Sequence, residues 1–186
     1  MSQPATLLQR DDTALMVIDV QGRLARQVVD AEAVTARIVM LIHAARTLNL
    51  PVLWVEQYPE GLGPTVKPVA DALAGHTPFA KTTFNACENA DIASALSQTG
   101  RSHLIVCGIE THVCVYHTVA GLIDSGFSVS VMTDGCSSRR AADRSAGLAR
   151  MQTLGAALRS TEMTVFELIG DAADPAFNVL LPLLKE

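Results

Sequence analysis

The stretch His103–Tyr116, HLIVCGIETHVCVY, decides how the rest of the chain is read. Leu104 to Cys107 is apolar at every position, as expected of a strand buried on both faces of a parallel sheet. Gly108 breaks the run. Thr111 is a candidate helix N-cap, and the pattern from Thr111 to Asp124 is helical, with Gly126 as its stop. Cys114 then falls in the first helical turn, where unpaired backbone N–H groups and the positive end of the helix dipole favour a thiolate. A strand, a turn and a nucleophile at a helix start suit covalent catalysis. An inert core cysteine fits the same pattern, so the surrounding chain has to separate the two.

Working outward, Ala14–Ile18 is a second uniformly apolar run, and it ends on Asp19. That residue is either a site carboxylate or a turn aspartate. Val52–Val55 is a third run, ending on Glu56 and Gln57; Phe127–Met132 is a fourth, followed by a Thr133–Arg139 loop. Helical spacing covers residues 31–48, 88–98 and 141–157, with a helical turn in 66–73. Met163–Leu168 reads as a final strand and Pro175–Leu184 as a terminal helix. Tyr58–Pro68 is a long loop rich in Pro and Gly. This alternation predicts an α/β fold: a three-layer αβα sandwich on a mainly parallel sheet with right-handed crossovers. Ligands in such folds bind outside the carboxyl ends of the strands. Asp19, the Glu56 region, the Cys114 turn and the Asp134 loop should gather there, and Lys81 should reach the same edge.

The composition narrows the function. A chain of 186 residues with 49% hydrophobic residues suits one domain, residues 1–186, with a substantial core. Charged residues are 18% and the net charge is -5, which argues against nucleic acid or an anionic membrane surface as partner. No apolar run is long enough to span a bilayer. The opening MSQPATLLQRDD lacks an export-signal pattern, and the four cysteines show no CxxC spacing, so a reducing cytoplasm is the expected home. Low charge with high hydrophobicity suggests apolar surface buried between subunits, hence a homo-oligomer.

Lys81 lies in PFAKTTFN, between two phenylalanines and far in sequence from any acid. It is either a lysine snorkelling from an apolar patch or a buried cation that holds carboxylates charged. Asp19 as proton acceptor, Lys81 as cation, Cys114 as nucleophile and helix-start N–H groups for an oxyanion make an acyl-transfer set. His117, three residues after Cys114, offers a rival Cys–His pair. His112 and Cys114 do not share a helix face, and His103 lies at the wrong end of its strand. No His/Asp cluster has metal spacing, and no cofactor is expected.

Met16-Val17-Ile18-Asp19-Val20-Gln21, Phe79-Ala80-Lys81, Val106 to Val115 and Asp134-Gly135-Cys136-Ser137-Ser138 together resemble the isochorismatase-like cysteine hydrolase family, which includes nicotinamidases and N-carbamoylsarcosine amidase. The resemblance runs from about Asp12 to the C-terminus, and the part through FELIGDA (166–172) is most similar to isochorismatase-domain proteins. It implies a Rossmann-like sheet of six strands in the order 3-2-1-4-5-6. The strand beyond the five read above is expected near the C-terminal end. It also implies a catalytic triad of Asp19, Lys81 and Cys114, a cis peptide between Ile109 and Glu110, and an oxyanion hole from the N–H groups of Glu110 and Cys114. Nicotinamidases carry a metal site after the second strand, which EQYPEGLG lacks. Isochorismatases often lack the cysteine. The expected reaction is therefore metal-free hydrolysis of an amide-type C–N bond in a small amide or ureido molecule, through a thioester. Gln21 and Phe84 are candidate substrate contacts. Non-covalent ether or ester hydrolysis, or a redox-responsive binding oligomer, are the alternatives.

Overall fold

Thr13–Ile18 (β1) is buried at all six positions, which only a strand covered on both faces achieves. The computed structural model describes residues 7–185; the start of MSQPATLLQRDD and Glu186 lie outside the described residues. After β1 come α1 (Ala31–Thr47), β2 (Val52–Gln57), the short α2 (Pro59–Leu62) and α3 (Lys67–Ala72), then β3 (Phe79–Lys81) and α4 (Ala90–Gln98). Next are β4 (His103–Ile109), a π turn (Thr111–Val115) running into α5 (Tyr116–Asp124), β5 (Ser128–Ser137) and α6 (Ala141–Thr153). The chain closes with β6 (Ala157–Arg159), α7 (Thr161–Ile169) and α8 (Pro175–Leu184).

The six strands form one parallel sheet in the order β3-β2-β1-β4-β5-β6. On one face α1 packs against α3, α7 and α8; on the other α5 packs against α6. This is the expected three-layer αβα sandwich. Among the described residues no helix is long and apolar enough to cross a membrane. Gly108 sets how closely the central strands approach. Its φ is +132°, and a Cβ there would sit 2.0 Å from the Ile18 carbonyl oxygen.

Several expectations need correction. Two strands went unread: β6, which does lie toward the C-terminal end, and β3, inside the Lys81 segment. Three residues at a sheet edge, two of them not buried, leave too little periodicity to read. Met163–Leu168 is not a strand but part of α7, and the edge strand is β6, just before it. The helix is imposed by its contacts. Thr161, Thr164, Val165, Leu168 and Ile169 are the buried positions, a helical spacing. Ser160 caps the start by accepting from Met163 N. Asp134 adds a second anchor there, accepting from the backbone N–H and hydroxyl of Thr161 at 2.9 Å each. The Asp134 segment is correspondingly no loop at the site. It lies within β5, where the pairing with β4 shifts register between Val106 and Gly108, and its carboxylate serves α7. Helix α6 stops at Thr153 because the chain turns there to make β6.

Candidate active site

Parallel strands bring their carboxyl ends to one edge, and the register places the chemistry along it. Gln57 closes β2 directly opposite Lys81, which closes β3. In-register neighbours in a sheet project to the same face, so the two side chains meet. Ile18, which closes β1, is aligned with Val55 on one side and Gly108 on the other. Asp19 then turns the chain with φ +54°, a left-handed conformation that aspartate tolerates better than most residues. Its N–H donates to Val55 O at 3.0 Å and its carbonyl accepts from Gln21 N at 2.8 Å. The turn leaves the Asp19 side chain inside the protein, 1% exposed.

Lys81 is also buried, at 3%, so it does not snorkel. Its ammonium donates to Asp19 Oδ2 at 2.9 Å, Gln57 Oε1 at 2.6 Å and Thr83 O at 3.2 Å. Three donors meet three acceptors. The Cys114 sulfur, on the π turn after β4 and 7% exposed, has Gln57 Oε1 as its hydrogen-bond acceptor at 3.9 Å. Asp19, Lys81 and Cys114, far apart in sequence, thus meet around one amide oxygen. Asp19 Oδ1 is buried with no hydrogen-bond partner. It nevertheless lies close enough for the carboxyl and the thiol to shift each other's proton affinity.

The electrostatics overturn the expected thiolate. Burial pushes the Cys114 thiol up to about 12, and the Asp19 carboxylate adds to the rise; Lys81 opposes both without overcoming them. Burial also raises the Asp19 pKa, against the pull of Lys81 and with a push from Glu56. Nor is Thr111 an N-cap. Glu110 occupies that position without a capping side-chain bond, and the Thr111 hydroxyl is buried and unpartnered. The Ile109–Glu110 peptide is cis. Burial alone would raise the Glu110 pKa, but hydrogen bonds from Arg139 N at 3.0 Å and Nε at 3.1 Å hold it below the usual glutamate range. Gly147 of α6 keeps the π turn in place, since a Cβ there would sit 3.0 Å from the His112 Cα.

The remaining candidates separate. Gln21 is fully buried and spends its amide on backbone: Nε2 donates to Gln57 O at 3.0 Å and Gly63 O at 2.7 Å, and Oε1 accepts from Gln57 N at 2.7 Å. It braces the end of β2 instead of presenting a free group to a ligand. Glu56 has a similar part, accepting from Thr65 N and Oγ1, while Trp54 donates to Thr65 Oγ1. Phe84 is 53% exposed and packs tilted against His117 at 5.9 Å, one helical turn beyond Cys114; Tyr116 meets the same imidazole at 5.1 Å. His117 Nδ1 is engaged with Val113 O at 2.8 Å, so no Cys–His pair forms through it. His112 Nδ1 meets Ser138 Oγ, and His103 meets Ser130 at the opposite end of β4. Gln57 is the residue that sequence reasoning passed over. Its one signal was its place at the end of the second strand.

Among the described residues, no group of three or more His, Cys, Asp or Glu side chains is placed to hold a metal ion. A groove of about 1420 Å³ runs along α1 and includes Arg26, Met40, His43 and Leu183 but none of Asp19, Lys81 or Cys114. The convergence of buried, interacting groups makes this edge the candidate site, on chemistry and not on groove size.

The Isochorismatase domain family matches residues 13–163. Isochorismatase domain-containing protein 2 of Pongo abelii is 36% identical over 177 residues, covering 92% of this chain and 82% of that protein. A Caenorhabditis elegans structure described as MAR1 ribonuclease superposes with a TM-score of 0.91 at 34% identity, covering 97% of this chain and 93% of that one. Pseudomonas aeruginosa YcaC, solved with hexane-2,5-diol and covalent acrylamide, has a TM-score of 0.91 at 28% identity, covering 98% and 93%. Escherichia coli YcaC, described as an octameric hydrolase of unknown specificity, has a TM-score of 0.92 at 27% identity, covering 98% and 91%.

Proposed function

Because the chain belongs to the isochorismatase domain family, we propose that it is a cysteine hydrolase that cleaves an amide-type C–N bond in a small molecule. The observation that carries this reading is the buried Asp19–Lys81 ion pair joined to the Cys114 sulfur through Gln57. The Cys114 sulfur attacks the carbonyl carbon while its proton passes to Asp19, and the carbonyl becomes an oxyanion. Backbone N–H groups of Glu110 and Cys114 hold that oxyanion. Collapse breaks the C–N bond, and the departing amine takes the proton from Asp19, leaving a thioester. Asp19 then draws a proton from water as it attacks. The acid departs and the proton returns to sulfur. Lys81 keeps Asp19 ionised between steps. The scheme uses no metal and no cofactor.

Covalent acrylamide in the P. aeruginosa relative supports a reactive nucleophile in this fold. Phe84 and Tyr58, each 53% exposed, give the neighbourhood apolar surface for a small organic substrate. A homo-oligomer fits the octamer described for E. coli YcaC and the exposed Met163, Phe166 and Val179. A library of small amides screened for ammonia release, with intact-mass detection of an adduct on Cys114, tests the proposal. Normal turnover by Cys114→Ala would sink it.

The C. elegans likeness favours a second reading, cleavage of RNA. A net charge of -5 opposes binding of a polyanion. A uniform RNA left intact under conditions that turn over an amide decides between them.

A further inference from the structure

We infer that Gln57 is a positioning residue that, together with burial and the Asp19 carboxylate, helps to keep the Cys114 sulfur protonated in the free protein, its S–H turned to the Gln57 oxygen and Asp19 Oδ1 left to take the proton during attack. This deepens the nucleophile assignment and rests on it. The orientation of the Gln57 amide is decided by its partners. Lys81 Nζ can only donate, so the atom 2.6 Å from it is oxygen; Thr82 O can only accept, so the atom 2.7 Å from that is nitrogen. Neither end can flip without setting donor against donor and acceptor against acceptor. The sulfur therefore faces an acceptor oxygen. An S–H group is stabilised there, and a thiolate would meet the negative end of an amide dipole.

The backbone cannot relax this arrangement. Gln21 bonds both the N–H and the carbonyl of Gln57, and β-pairing holds Gln57 beside Lys81. The charged groups that act on the thiol are Asp19, following β1, and Lys81, at the end of β3. Glu56 acts on Asp19. The histidines of the turn and α5, His112 and His117, have their Nδ1 atoms engaged elsewhere. Asp19 Oδ1 is buried, has no fixed hydrogen-bond donor, and its carboxylate lies near enough to the thiol to interact with it. The resting sulfur is consequently shielded from stray electrophiles, while a base waits beside it.

The test is the pH dependence of iodoacetamide alkylation at Cys114, followed on its peptide by mass spectrometry in the full-length protein. Half-buried Cys87 serves as internal reference. In Gln57→Met, which fills similar volume without an amide dipole, the inflection should fall by roughly half to one pH unit, so alkylation near pH 8 rises about 3- to 10-fold. In Gln57→Glu, which puts a full negative charge beside the sulfur, the inflection should rise and alkylation should slow. General loosening would move both variants the same way and speed Cys87 as well. An unchanged inflection in Gln57→Met, or shifts of the same sign in both variants, overturns the inference. If Gln57→Met does not fold, a Gln57→Glu inflection that fails to rise does so alone. Turnover by Cys114→Ala tests the nucleophile assignment separately, because alkylation reads the sulfur whether or not catalysis passes through it.

Discussion

Burial and the Asp19 carboxylate both push the Cys114 thiol up, so the sulfur holds its proton firmly at neutral pH. With the thiol pushed up to about 12, alkylation of Cys114 in the wild type should be slow at pH 7 and still rising about tenfold per unit at pH 10. A plateau near pH 8, measured by peptide mass spectrometry, would contradict this. Activity should have the opposite limb. Burial raises the Asp19 pKa, so kcat/KM should fall in acid above the ordinary aspartate range as the base protonates. Lys81 lowers that value, so in Lys81→Met the acid limb should move to higher pH in whatever activity survives. For stability the sign reverses. A carboxyl with a raised folded pKa favours the fold in acid, and that contribution is lost as pH rises through the folded value. The neutral protein carries the buried carboxylate at a cost that Lys81 offsets. Lys81→Met should therefore cost about 3–5 kcal/mol at pH 7 in urea denaturation. Adding Asp19→Asn should cost less than the two single changes summed, with a coupling of about 0.5–3 kcal/mol. Simple additivity would mean that the pair is not coupled.

At the scale of elements, two close approaches carry most of the positioning. Gly108 lets β4 lie against Ile18, so Gly108→Ala combines a disfavoured φ with a backbone clash. It should destabilise by more than about 2 kcal/mol in urea titration. A neutral result would mean that β4 can shift, and the Cys114 turn with it. The elements also show where local pattern is weak evidence. The long strands β1 and β4 are buried throughout or nearly so, and their composition is unambiguous. The residues of β3 and α7 are short or two-valued in pattern. In α7, Asp134, a residue 27 positions away, anchors Thr161 and helps to select helix over strand. The π turn likewise follows from what α6 presses against it, through Gly147.

At the scale of the molecule, the two ends of the described chain are tied together. Arg10 donates to Leu168 O, Ile169 O and Asp174 Oδ2, and Leu8 N donates to Glu167. Arg10→Ala should raise hydrogen exchange in α8 while β1 and β4 keep their protection; uniform loss across the sheet would show that the clasp supports the whole fold. The exposed apolar side chains of α7 and α8, Met163, Phe166 and Val179, suit a subunit contact. Sedimentation at micromolar concentration is expected to show an assembly larger than one chain.

Layer count and the edge at which the site forms follow from residue pattern, because apolar period, crossover hand and parallel pairing are local or nearly local constraints; the strand order came with the family resemblance. Asp19 and Cys114 were legible from the pattern too, each following a run that it places at that edge; Lys81, on a strand too short to read, was singled out by its apolar surroundings and by the family resemblance. Three things were decided only when the chain packed. One was the protonation of the sulfur, since a helix start argues for a thiolate while burial beside a carboxylate argues harder against it. Another was Gln57, whose side chain has a fixed direction only because Lys81 sits opposite it in register and Thr82 takes its other end. The last was the work of Gln21 and Asp134, which look like site residues in the sequence and in the folded chain hold backbone. Proton affinity and amide orientation depend on the distance between groups remote along the chain, and those distances exist only in the folded molecule.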